Sequence, residues 1–102
     1  MDIIQLCQAG VLMTDNNFTK EYLTAFGKSL KNIRIHSAQK SLRLFAYEAD
    51  IPCATLSRLE NGSRIANIIT LKKFAAALNW SVSSLLSEIE KDIPDYIKNS
   101  EL

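Results

Sequence analysis

The chain has 102 residues, 47% of them hydrophobic, with 12 Lys/Arg against 11 Asp/Glu and a formal net charge of +1. That is room for one domain with one modest core, in a globular rather than a disordered balance. No apolar run approaches the roughly 18 residues of a membrane helix, and Met1-Asp2 opens no signal peptide. Cys7 and Cys53 lie 46 positions apart without Cys-x-x-Cys spacing, so reduced thiols in a cytosol are expected rather than a disulfide or a zinc site.

Residues 1–17 are an apolar N-terminal extension of ambiguous structure. Ile3, Ile4, Cys7 and Val11 have helical spacing with Gly10 as a cap, whereas Val11-Leu12-Met13 also suits a short strand. A first helix is predicted from about Phe18 to His36, because Phe18, Tyr22, Phe26, Leu30 and Ile33 form one apolar stripe. Gly27 inside it costs about 1 kcal/mol relative to alanine, which implies a close neighbour there. A second helix starts at Ser41 as N-cap and ends near Ala49, its core face being Leu42, Phe45, Ala46 and Ala49. Asp50 takes a left-handed turn, and Pro52 fits the first turn of a third helix with Leu56 and Leu59 inward. Gly62 stops that helix in a left-handed cap. Asn67 caps a fourth helix with Ile68, Leu71, Phe74, Ala75 and Leu78 buried. Ser81 or Ser83 caps a fifth, whose apolar positions are Val82, Leu85, Leu86 and Ile89. Asp92-Ile93-Pro94 ends it, leaving a mildly acidic tail over 92–102. The expected fold is all-α, with a five-helix domain over 18–91.

The segment Ser41–Gly62 is two short helices on a tight turn. Such a pair buries little by itself, so its second helix is displayed on a scaffold, and small and basic residues at its start suit the DNA major groove. Charge supports this. Residues 20–73 hold ten Lys/Arg and four acids, residues 1–19 only two acids, and residues 74–102 two bases and five acids. The basic charge is concentrated around the helix pair, where a polyanion would dock.

In order and nearly in register, Phe26-Gly-Lys-Ser-Leu-Lys-Asn-Ile-Arg34, Ser41-Leu-Arg-Leu-Phe-Ala46, Leu56-Ser-Arg-Leu-Glu-Asn-Gly62 and Thr70-Leu-Lys-Lys-Phe-Ala-Ala-Ala-Leu78 with Leu85-Leu86 resemble the Xre/Cro/CI helix-turn-helix family. The resemblance implies a five-helix, lambda-repressor-like DNA-binding domain. Five departures stand out. Leu42 replaces the usual glutamine, and Asp50 the turn glycine. Pro52 stands for Ser/Thr, and Ala66 for a proline before helix four. Between helices one and two, Ile35–Lys40 is about one residue longer than in the family.

In the family's docking geometry, Cys53, Ala54, Thr55, Ser57 and Arg58 face base edges. The first two can pack on a thymine methyl, and Arg58 can pair with guanine. A surface ion pair with Glu48 is the alternative for Arg58. Lys40, Ser41, Arg43, Asn61, Ser63 and Arg64 are the expected phosphate anchors, aided by the helix-two N-terminus. Glu60 would repel phosphate, so it is expected to form a partly buried structural ion pair with Arg34, as in the family. His36 has no ligand-spaced neighbour, so no metal or other cofactor is implied. Trp80 reads either as core or dimer packing or as an exposed anchor for a partner protein.

The expectation is a cytoplasmic, bacterial or phage-encoded transcriptional repressor that binds double-stranded DNA as a homodimer. The alternative is an antitoxin subunit that neutralises a toxin protein and autorepresses its operon. An enzyme is rejected, since no nucleophile has an evident base and no glycine-rich phosphate loop is present.

Overall fold

The computed structural model describes the backbone of residues 2–94 and the side chains of residues 18–94. Five α-helices are formed: α1 (Asp2–Ile33), α2 (Leu42–Ala49), α3 (Cys53–Glu60), α4 (Ile68–Ala77) and α5 (Val82–Asp92), with a π-helical turn over Arg34–Ala38 closing α1. No strand occurs among the described residues, and none of their helices is long and apolar enough to cross a membrane. The acidic tail expected beyond Pro94 lies outside the described residues.

Helix α1 begins at Asp2, not near Phe18, so neither a Gly10 cap nor a strand at Val11–Met13 is formed. No proline interrupts residues 2–33, and a glycine inside a helix costs only about 1 kcal/mol. At its other end the helix widens. The N–H groups of Gln39 and Lys40 both reach back to the Arg34 carbonyl, and Gln39 takes a left-handed conformation with φ 56°. The widened turn falls on the stretch that is about one residue long for the family, and a π turn is how a helix accommodates such an excess.

Caps fix the short helices. Ser41, Asn67 and Ser81 each accept the N–H three residues on, from Leu44, Thr70 and Ser84. Asp50 (φ 60°) ends α2 in the left-handed region, and Gly62 (φ 80°) does the same just after α3. Pro52 stands one position earlier than expected. It is the N-cap of α3, with ψ 137°, and its carbonyl closes the first turn by accepting from Leu56 N–H. Helix α5 ends at Asp92, before the Ile93-Pro94 step.

The core joins Leu30 and Ile33 of α1, Phe45, Ala46 and Ala49 of α2, and Leu56 and Leu59 of α3 to Phe74, Ala75, Leu85, Ile89 and Ile93. At its centre the Phe45 and Phe74 rings are tilted, with centroids 4.6 Å apart; such a pair adds about 0.5–1.5 kcal/mol beyond area burial. Leu42, Leu71, Leu78, Trp80, Val82 and Leu86 pack around it half-buried. Ile68 departs from expectation. It is 61% exposed, because the first turn of α4 lies at the rim of the bundle beside Ile65 and Ile69, also exposed.

Candidate nucleic-acid interface

Helix α3 is held from behind by α1. A Cβ on Gly27 would lie 2.3 Å from the Leu59 carbonyl oxygen and 2.6 Å from that of Glu60, so only glycine lets the end of α3 approach this closely. Beside that contact, Arg34 Nε donates to Glu60 Oε2 at 2.7 Å and its second terminal nitrogen to Oε1 at 2.9 Å. Both side chains are under 10% exposed, and the paired geometry satisfies the carboxylate. The remaining terminal nitrogen of Arg34 donates to the Lys40 carbonyl at 2.8 Å. One guanidinium therefore ties α1 both to α3 and to the linker entering α2.

With Leu56, Leu59 and Glu60 facing inward, Cys53, Ala54, Ser57 and Arg58 are exposed and Thr55 is half-buried. Arg58 makes no ion pair among the described residues; Glu48, the acid expected as its alternative partner, bonds Lys40 instead. The exposed face of α3 is thus short side chains followed by one uncommitted guanidinium.

The expected phosphate anchors divide into committed and free groups. Lys40 is tied to Glu48. Ser41 Oγ is occupied by Leu44 N–H at 3.1 Å, but the preceding N–H groups of Leu42 and Arg43 have no intrahelical partner and point out of the α2 N-terminus. Asn61 Oδ1 accepts from Ser63 N–H at 3.0 Å, and Ser63 Oγ donates to the Arg58 carbonyl at 3.4 Å. Those two residues shape the loop after α3, while Arg43 and Arg64 are exposed and without an ion pair among the described residues.

Tyr47 was not singled out from the sequence. It is 84% exposed and lines one depression with Arg43, Pro52 and Cys53, where its hydroxyl suits a phosphate oxygen. The available signal was the i, i+4 spacing of Arg43 and Tyr47, opposite the buried face of α2. Lys73 was also missed. It donates to the Asp50 carbonyl at 3.0 Å and pins α4 to the turn of the helix pair. Conversely, Lys20 and Lys28 line a separate depression with Asp92 and Pro94 at the end of α5, so not all the basic charge serves α3. His36 is exposed, no metal-binding cluster occurs among the described residues, and Trp80 is half-buried against the core.

The helix-turn-helix family model matches residues 30–85, more than half of the chain. The chain belongs to the Xre-type helix-turn-helix family. Members of this family bind DNA and regulate transcription. Among curated relatives, the control protein C.MunI of Mycoplasma sp is 36% identical over 67 residues, which span 66% of this chain and 90% of the relative. Among solved structures, the clp gene regulator ClgR from C. glutamicum superposes with a TM-score of 0.61 at 26% identity, over 72% of this chain and 92% of that one. The match covers the last turn of α1, the π turn, α2–α4 and the start of α5, so it includes Arg34 and Glu60 while Gly27 lies just outside it.

Proposed function

We propose that this Xre-type protein is a cytoplasmic, sequence-specific transcriptional repressor that binds a pseudo-palindromic operator as a homodimer, with α3 of each copy in the major groove. The observation that carries this reading is the clamped α3. A short exposed face of Cys53, Ala54, Ser57 and Arg58 is fixed on α1 by Gly27 and the Arg34–Glu60 pair. Its flanks supply the open α2 N-terminus, Arg43 and Arg64. Base recognition falls on Arg58 and the small residues before it, and phosphate contact on the flanks. One module of this size covers little DNA, which favours two half-sites.

Footprinting on the DNA upstream of its own gene, repeated across salt concentrations, tests the reading. It predicts a protected pseudo-palindrome with half-sites about one helical turn apart and a steep loss of affinity with salt. Weak binding indifferent to sequence would overturn it. Co-purification of a second protein would instead favour the antitoxin reading, for which Trp80 offers only a half-buried side chain.

A further inference from the structure

From Pro52 to Ser57 the chain reads Pro-Cys-Ala-Thr-Leu-Ser, without an amide, a carboxylate or a cationic head. Pro52, Cys53 and Ala54 are exposed, Thr55 is half-buried, and Leu56 is in the core. Cys53 is a free thiol, which packs as a small apolar group with only a weak donor. Ala54 offers a methyl and nothing else. The apolar surface continues onto α2, where Tyr47, Ile51, Pro52 and Cys53 line one open depression together with Arg43 and Asp50. Tyr47 leaves 84% of its surface uncovered there. The Asp50 carboxylate, the one acid of this lining, is matched by Lys73 Nζ at 3.5 Å.

Base edges in the major groove are told apart by a small set of partners. Amides pair with adenine, guanidinium and ammonium groups with guanine, and carboxylates with cytosine. None of these stands between Pro52 and Ser57. The hydroxyls of Thr55 and Ser57 both donate and accept, so they discriminate poorly. What this stretch can recognise is the one apolar group on a base edge, the C5-methyl of thymine. Arg58, the first cation, lies five residues beyond Cys53, about 7.5 Å along the helix axis. That is about two base-pair rises of ~3.4 Å, so Arg58 meets a different base pair.

We propose that the Pro52–Ala54 face, with the Tyr47 ring beside it, reads the C5-methyl group of a pyrimidine, accepting thymine and 5-methylcytosine and disfavouring uracil and unmodified cytosine. This rests on the DNA-reading role of α3 given above and names the group on the DNA that its first turn recognises. Burying one methyl against such a surface is worth about a fourfold gain in affinity. The preference at this base pair is therefore modest, and it follows the methyl rather than the base that carries it. Methylation of cytosine at C5 would then strengthen binding to a site that lacks the thymine.

Competition titration of the full-length chain against duplexes of its footprinted operator provides the test. Each thymine of a half-site is replaced in turn by deoxyuridine, which removes the methyl and leaves the hydrogen-bonding edge unchanged. At one position or more, uracil should weaken binding about fourfold. Cytosine paired with guanine at that position should also weaken it, and 5-methylcytosine should recover most of the difference between the two cytosines. Cys53→Ser, which keeps the size of the side chain, and Ala54→Gly should each lower the preference for thymine over uracil, and the double variant should abolish it. Circular dichroism checks that these variants remain folded. Arg58→Ala should lower affinity and keep the preference, because it acts on another base pair. Equal binding of uracil at every half-site thymine, or a preference that survives in the folded double variant, would overturn the methyl reading and leave α3 as the DNA-reading helix. A chain that binds no duplex better than unrelated DNA would overturn both.

Discussion

Removing Arg34 would strand the Glu60 carboxylate, which is 6% exposed and has no other charged partner among the described residues. Arg34→Ala is therefore expected to cost about 3–5 kcal/mol of stability, a large part of the ~5–15 kcal/mol typical of a domain. Urea unfolding measures it, and a loss below about 1 kcal/mol would mean that water reaches the pair. Glu60→Ala should cost a similar amount, and the double variant less than the sum of the two. Arg58 is the opposite case, exposed and uncommitted. Arg58→Ala should leave stability within about 0.5 kcal/mol yet weaken specific DNA binding by about 1–3 kcal/mol, as read by competition titration against unrelated DNA. Equal loss on both DNAs would reassign Arg58 to a phosphate. A structural role for Glu60 was legible in the sequence because an acid on an expected phosphate-facing surface needs one, and the family resemblance supplied Arg34 as its partner. The bond from Lys40 to Glu48 was not, since both residues sit at exposed positions with several partners in reach.

At the level of elements, glycine sets the approach of α3 to α1. Gly27→Ala gains about 1 kcal/mol of helix propensity, but the added methyl meets two backbone carbonyls that cannot rotate away. Forced repacking of this kind costs about 1–3 kcal/mol, so a net fall in melting temperature of several degrees is expected by calorimetry; an unchanged or raised value would show that α3 can slide. Gly27 was readable in advance because a mid-helix glycine is expensive without a reason. The caps Ser41 and Asn67 and the turn residue Asp50 were readable from their own chemistry, whereas for α5 that chemistry suited Ser81 and Ser83 alike and the structure uses Ser81. What periodicity cannot supply is where a helix outruns its neighbours. It cannot distinguish Ile68, at the rim, from Leu71, one turn further in. Nor could it decide between helix and strand for residues 1–16, where apolar residues come in clusters that satisfy both spacings.

Taken over the whole molecule, a net charge of +1 conceals a division of labour among its bases. Arg43 and Arg64 flank the displayed helix, whereas Lys20 shares a depression with Asp92 beside α5. The slope of log affinity against log salt should therefore fall by about 1 for Arg43→Ala and for Arg64→Ala and stay unchanged for Lys20→Ala. Lys40→Ala should change it less than Arg43→Ala, because Lys40 must leave Glu48 to reach DNA. Equal effects at all four positions would indicate a diffuse electrostatic attraction and not a docked face.

The π turn at Arg34–Ala38 bears on how such a chain accepts an inserted residue. In a regular α-helix one additional residue rotates everything beyond it by about 100°, which would swing either the Arg34 guanidinium away from Glu60 or the α2 N-cap away from its place. Widening a single turn absorbs that phase error locally. The linker can therefore vary in length while the angle at which α3 is presented stays fixed, and deletion of Ser37 should preserve the orientation of α3 while restoring an ordinary helix end.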